Sequence, residues 1–197
     1  MLERIQDRSL LSALTLDNEE CLHGAARALA QWAIVDDYDN ILDLQCRDGK
    51  LLNYLSRRYS LRACGIADDP EQAKMLRQKM PDAEVFYARK EDIPWRSNAF
   101  NAVFYQMKGE QQDDAFLQEV LRVLKPGGQV LISLSSIPQA LRSVANVVGF
   151  ADAGKPSHAQ LLSWMEKAGL KDVSWRLTSP VNGVAMGFKP FETEASA

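Results

Sequence analysis

The sequence predicts an α/β fold: a doubly wound, mostly parallel sheet of seven strands that ends in an antiparallel hairpin. Three observations carry this. From residue 40 onward, short apolar runs alternate with segments of helical periodicity, the pattern of a parallel sheet wrapped by helices. Gly and Pro punctuate the changeovers. Near the C-terminus the alternation stops, and two strand-like runs flank a stretch of turn-forming residues.

Residues 2–35 read as helix with a break, Asp17 or Asn18 being the N-cap of a second helix through Ala25, Leu29 and Trp32. Ile41–Leu44 is short and apolar, which suits a buried strand. Gly49 opens a helix with Leu51, Leu52 and Leu55 on one face. Ala63–Ala67 is the second strand, and Pro70 takes a first-turn position in a helix through Met75, Leu76 and Lys79. Val85–Tyr87 and Phe100–Tyr105 follow as strands three and four. Phe116, Leu117, Val120, Leu121 and Leu124 make a helical apolar stripe. Pro126 and Gly127-Gly128 stop it, leaving Gln129–Leu134 as strand five. Leu161–Ala168 is a helix closed by Gly169. Val173–Thr178 and Val184–Lys189 flank Pro180 and Asn182-Gly183, a hairpin on the sheet's edge. The expectation is one domain over 1–197, with a helical cap over 1–39, a core over 40–190 and a loose tail over 191–197.

Composition narrows the function classes. The chain has 197 residues, 46% hydrophobic and 25% charged, the averages of a soluble globular domain. Lys+Arg number 23 against 26 Asp+Glu, so no basic excess drives nucleic-acid binding. No apolar run is long enough for a membrane span, and the charged opening Met1–Arg8 is a poor secretory signal; a cytoplasmic protein is expected. Cys21, Cys46 and Cys64 have no CxxC spacing and read as reduced thiols. His23 and His158 are the only histidines, so no metal centre is expected.

In open α/β sheets ligands bind beyond the carboxyl ends of the strands. Here those ends carry Asp43-Leu44-Gln45-Cys46-Arg47-Asp48-Gly49, Ala67-Asp68-Asp69-Pro70, Arg89-Lys90-Glu91-Asp92-Ile93-Pro94 and Gln106-Met107. The run Glu119-Val120-Leu121-Arg122-Val123-Leu124-Lys125-Pro126-Gly127-Gly128 resembles the helix-turn-strand signature of the class I S-adenosylmethionine-dependent methyltransferases. Glu91-Asp92-Ile93-Pro94 followed by Phe100-Asn101-Ala102-Val103 resembles that family's "edLPf…FD.V" stretch, and Ala168-Gly169-Leu170 its late "aGf". The resemblance runs from about Ile41 to Lys189 and implies a Rossmann-like sheet, S-adenosylmethionine as cofactor and a small-molecule acceptor.

The resemblance also assigns residues. The family's first loop, "LDlGcGtG", reads here Leu42-Asp43-Leu44-Gln45-Cys46-Arg47-Asp48-Gly49, so Asp43 and Gly49 match while two glycines have become Gln45 and Arg47. Each adds a long side chain that either enters the pocket or points to solvent. The acidic residue that receives the ribose hydroxyls corresponds to Ala67, with Asp68 and Asp69 just beyond; these two either substitute for it or cap the next helix. The position that receives the adenine amino group corresponds to Arg89, which has no acceptor. Ile93 either lies on the adenine face or belongs to the core. The implied cofactor-binding set is Asp43, Gln45, Cys46, Arg47, Gly49, Asp68, Glu91, Asp92, Ile93 and Gln106, with Tyr105 and Gln106 placed to touch the acceptor or the methionine end. No catalytic residue is assigned. His23, in the N-terminal cap, reads either as a base or as an ordinary helix residue. Leu141, Val144, Ala145 and Val148, within Pro138–Phe150, make either an acceptor-binding element or a packing or dimer helix.

Two readings follow. One is a methyltransferase acting on a small molecule. The other is a catalytically inactive protein of the same fold that binds a different, anionic ligand or a protein partner. Loss of acidity at 67 and 89 together with Arg47, Arg89 and Lys90 motivates the second, because S-adenosylmethionine is net positive. A dinucleotide dehydrogenase is weaker still, since no GxGxxG follows the first strand.

Overall fold

The computed structural model describes Leu22 and residues 24–107, 113–135, 156–179 and 182–191. The expectations for the N-cap at Asp17 or Asn18, for Cys21 and His23, for Pro138–Phe150 and for the turn residue Pro180 lie outside the described residues. In order, the elements are α1 (Gly24–Trp32), β1 (Asn40–Asp43), α2 (Lys50–Arg58), β2 (Arg62–Ala67), α3 (Pro70–Lys79) and β3 (Glu84–Tyr87). Then come β4 (Phe100–Met107), α4 (Asp114–Val123), β5 (Leu124–Ser135), α5 (His158–Lys167), β6 (Lys171–Ser179) and β7 (Asn182–Phe188).

The strands form one seven-stranded sheet in the order β3-β2-β1-β4-β5-β7-β6. Pairings among β1 to β5 are parallel, while β7 is antiparallel to both β5 and β6. The mostly parallel α/β sheet is therefore as the sequence predicts. Within the hairpin, the second strand is the inner one. Val184 and Ala185 are both fully buried, so β7 is apolar on its two faces and fits between strands; β6 carries exposed Arg176 and Leu177 at the edge.

Alternate residues of each strand feed two cores, as the two-residue period of a strand requires. Ile41, Ala63, Ala67, Ala102, Phe104 and Leu131 pack with α1, α2 and α3. Leu42, Leu44, Cys64, Ile66, Val103, Tyr105 and Ile132 pack with α4 and α5. The expected stripe of α2 is buried as read, at Leu51, Leu52 and Leu55. In α3 the buried residues are Ala73 and Leu76, and Met75 lies half exposed.

The boundary of strand five differs from expectation. β5 begins at Leu124, directly at the end of α4, and Pro126-Gly127-Gly128 form an irregularity inside it, where the register against β4 jumps between Phe100 and Ala102. The bend is held from both sides. Gly127 N–H donates to Lys189 O at 2.9 Å, Lys189 N–H donates to Gly128 O at 2.8 Å, and Lys125 Nζ donates to Asn101 Oδ1 at 2.7 Å. Gly127 has φ +76, a region that favours glycine.

The sheet order reverses between β1 and β4, which start on either side of the first crossover. A cleft at the carboxyl ends of these strands is what this topology provides.

Candidate functional site

The turn after β1 continues the sheet before it leaves it. Leu44 N–H donates to Phe104 O at 2.9 Å, and Cys46 N–H donates to Ile66 O at 3.0 Å, so the turn is tied to β4 on one side and β2 on the other. Gly49 N–H then closes on Cys46 O at 2.6 Å and serves as N-cap of α2 with φ +73. A Cβ at Gly49 would lie 2.6 Å from Met80 Cε, the movable end of a flexible side chain, so it is the left-handed backbone angle that favours glycine here. Arg47 has φ +24, which keeps a glycine-favouring backbone although its side chain is long and exposed.

Of the two replaced glycines, then, Arg47 faces solvent and Gln45 does not. Gln45 is 8% exposed, and its Oε1 is sealed from solvent with no hydrogen-bond donor among the described residues. Asp43 is 1% exposed and accepts Gln45 N–H at 3.0 Å. Burial pushes its carboxyl up to about 7; the Gln45 amide and the Arg47 charge oppose that rise, and Asp48 and Asp68 add to it. Cys46 is buried against β2, where a Cβ on Gly65 would lie 2.9 Å from its Sγ. That side chain is packing, and burial pushes its thiol well above the usual range.

At the end of β2, Ala67 is buried in the core under α3. Asp69 is the N-cap of α3, its Oδ1 accepting Gln72 N–H at 2.8 Å, with Pro70 in the first turn. Asp68 is exposed; its backbone N–H donates to Gln72 Oε1 at 2.7 Å, and its charge is felt at Asp43 and Cys46. Asp69 thus caps α3 through its side chain, while the exposed Asp68 acts on the β1 turn through its charge.

The β3–β4 loop is held rather than free. Asp92 N–H donates to Arg89 O at 3.2 Å, closing a turn in which Arg89 and Asp92 are exposed and Glu91 half-buried. Ile93 is 2% exposed and packs in the core with α4 and α5. Its N–H donates to Glu119 Oε2 at 3.0 Å, while Arg122 donates to Ile93 O at 2.8 Å and to Trp95 O at 2.7 Å. Glu119 and Arg122 also pair with each other at 2.7 Å, and that guanidinium holds the Glu119 carboxyl below its ordinary range. The sequence reading missed this clamp. Opposite charges three apart inside a helical apolar stripe were its signal.

At the end of β4, Gln106 is buried at 9% exposure and Tyr105 at 1%. Tyr105 belongs to the core and stacks, tilted, on Phe116 at 4.7 Å between ring centroids. Lys90 does not stand on a rim with Arg47 and Arg89. Its ammonium donates to the Tyr105 hydroxyl at 3.1 Å and lies over the Tyr105 and Phe116 rings at 5.3 and 5.6 Å. Among the described residues no three His, Cys, Asp or Glu side chains converge as around a metal ion, and no helix is long and apolar enough to cross a membrane.

Comparison with known proteins fits this geometry. A methyltransferase-domain family model matches residues 42–132, from β1 into β5. The chain is 28% identical over 114 residues to a 2-methyl-6-phytyl-1,4-hydroquinone methyltransferase of Synechocystis, covering 54% of this chain and 36% of that one. It is 26% identical over 184 residues to a ubiquinone/menaquinone biosynthesis C-methyltransferase of Idiomarina loihiensis, covering 76% and 73%. Against three of the curated relatives the chain spans 36, 58 and 54% of their length. Among solved structures, the [4+2]-cyclase SpnF superposes with a TM-score of 0.70 at 16% identity, over 84% of this chain and 80% of that one. Sheet order and sequence match agree: over residues 42–132 the chain is similar to the methyltransferase-domain family, and its sheet has the Rossmann-like fold of these solved structures.

Proposed function

We propose that this protein is an S-adenosylmethionine-dependent methyltransferase that acts on a small molecule. The observation that carries this is the β1 turn. It keeps a buried acid at Asp43, a left-handed Gly49 opening α2, and a buried acceptor at Gln45 Oε1 that has no donor among the described residues. A buried carboxylate and an orphaned carbonyl suit a ligand that brings donors and positive charge, and S-adenosylmethionine carries an ammonium and a sulfonium. The residues proposed to hold it are Asp43, Gln45, Cys46, Arg47, Gly49 and Asp68, with Glu91, Asp92, Ile93 and Gln106 beyond. For Cys46 and Ile93, whose side chains are packed in the core, the contact offered is backbone. Asp68, exposed at the end of β2, is the carboxylate proposed to receive the ribose in place of Ala67.

When bound, the cofactor supplies an electrophilic methyl carbon, and the protein's part is to align an acceptor with it and to exclude water. Gln106, buried at the end of β4, is the polar side chain proposed to meet the methionine end or the acceptor. The domain is proposed to divide into an N-terminal cap over 1–39, a core over 40–190 and a tail over 191–197.

A second reading has its own observation. Ala67 and Arg89 stand where the family pattern has acidic acceptors, and this favours a catalytically inactive protein of the same fold that binds another, anionic ligand or a protein partner. Calorimetry with S-adenosylmethionine and S-adenosylhomocysteine separates the two, on wild type and on a Gln45→Gly/Arg47→Gly/Arg89→Asp variant. Micromolar binding by wild type is expected. Binding by the variant alone would mean that substitution has closed the cofactor site.

A further inference from the structure

The end of the sheet opposite the strand-end cleft carries a projection, a hollow and charges of both signs. Asn40 starts β1 there, and Gln129 and Lys171 pair with Phe188 across β5, β7 and β6. The projection is Tyr38, in the turn between α1 and β1. It is 86% exposed, and its backbone has φ +69, a left-handed angle that is costly for a bulky residue. The turn is fixed in that shape. Tyr38 N–H donates to Ser60 O at 2.7 Å, Ser60 N–H to Asp37 Oδ1 at 2.7 Å, and Asp36 N–H to Asp39 Oδ2 at 2.9 Å. A rigid backbone that displays an aromatic ring to solvent is preorganised as an interface anchor.

The hollow is a cavity of about 220 Å³ with apolar walls at Ile34, Pro126, Phe188 and Phe191. Phe191 is 77% exposed and lies on the backbone of Gly127, where a Cβ would be 2.5 Å from its Cζ. Lys125 and Asp39 also line this cavity, and Lys171 and Asp172 line a second one on Phe191. Asp36 and Asp37 stand exposed beside Tyr38. Among the described residues, none of Asp36, Asp37, Asp39, Lys125 and Lys171 makes an ion pair. A two-fold contact needs one patch that holds both a projection and its receptor, and both signs of charge, because each copy presents the same surface. We propose that this end of the sheet is such an interface with a second copy of the chain. Tyr38 of each copy fills the hollow beside Phe191 of the other, and the aspartates of its turn lie against the lysines there. A basic peptide would answer the aspartates alone and leave the hollow and the lysines unmet. The contact and the strand-end cleft lie at opposite ends of the sheet, so dimerisation is expected whether or not the cofactor binds.

The test is analytical ultracentrifugation of the full chain over a range of concentrations. The wild type is expected to show a reversible monomer–dimer equilibrium, several-fold weaker in about 0.5 M salt than in about 0.05 M, because its charge pairs lie near solvent. Tyr38→Asn removes the ring and suits the left-handed backbone; it is expected to weaken the dimer at least about tenfold without lowering thermal stability. Asp36→Lys and Lys171→Glu are each expected to weaken it, and an equimolar mixture of the two to recover it. In the mixed dimer the introduced lysine meets the introduced glutamate, and the native aspartate meets the native lysine. A wild type that sediments as a monomer at every concentration overturns the inference. So does a dimer whose strength is unchanged by Tyr38→Asn and by both charge reversals, which would put the contact on another surface, such as the β6 edge.

Discussion

Asp43 is the residue at which stability and function pull apart. Its ordinary carboxyl value is 3.8, and in the fold burial lifts it to about 7. Between those values the folded protein binds more protons than the unfolded chain, so its stability falls as pH rises from about 4 to 7. Below that window both states are protonated and the burial cost is absent; above it the cost is complete. Asp43→Asn keeps an acceptor for Gln45 N–H and removes the charge. The variant is expected to be more stable than wild type by about 2–4 kcal/mol at pH 8 and nearly equal to it at pH 4, read from urea unfolding at both values. Equal stability at pH 8 would mean that the carboxylate is solvated. The thiols give a second residue-scale test. Burial pushes Cys64 up to about 12 and Cys46 higher, with neighbouring carboxylates adding to both. In a Cys21→Ser background, a thiol reagent at pH 8 should label neither until the protein unfolds. Rapid labelling of either in the native state would contradict the packing of Cys46 on Gly65.

At the scale of elements, the strongest sequence signature turns out to be a clamp. Glu119 and Arg122 of α4 grip the backbone of Ile93 and Trp95, and so fix the path of the β3–β4 loop. Arg122→Met removes two side-chain donors from those carbonyls while keeping the aliphatic stem. Expected is a loss of about 1–3 kcal/mol, with faster amide exchange concentrated over residues 89–96 and little change in β1. Uniform loosening of the whole sheet would show that the pair supports the fold and not the loop. The hairpin teaches a related lesson. Asn182-Gly183 reads as a turn dipeptide, yet these residues pair with Ser135 and Leu134 inside the sheet. Gly183 is small for a tertiary reason: a Cβ there would lie 2.0 Å from the Trp175 ring. Gly183→Ala is therefore expected to displace that indole, visible as a shift in tryptophan emission.

For the whole molecule, the inner position of β7 makes the C-terminal hairpin part of the sheet and not an appendage. It pairs with β5 from Gln129 to Ser135, and Val184 and Ala185 are sealed in the two cores. Truncation after Leu170 would expose that long edge and both apolar faces. Such a chain is expected to aggregate or to lose cooperative thermal unfolding; a sharp transition near the wild-type midpoint would show that the first five strands fold without it.

Much of this protein is written locally. The two-residue and 3.6-residue periods of the apolar residues are properties of neighbouring side chains, so the order of elements, the parallel sheet, the buried face of α2 and the family signature are all legible along the chain. Gly49 is legible too, because a left-handed N-cap is a local backbone demand. Burial at the strand ends is different in kind. Nothing adjacent to Gln45 or Arg47 says that one is enclosed and the other solvated; that depends on β2 and β4 closing over the turn from either side. Only the assembled sheet gave Asp69 to a helix cap and left Asp68 exposed, its charge acting on the β1 turn. It also folded Lys90 onto Tyr105 and set β7 between β5 and β6. Those outcomes turn on long-range packing and desolvation, which depend on where distant segments come to rest and leave no periodic trace in the residues themselves.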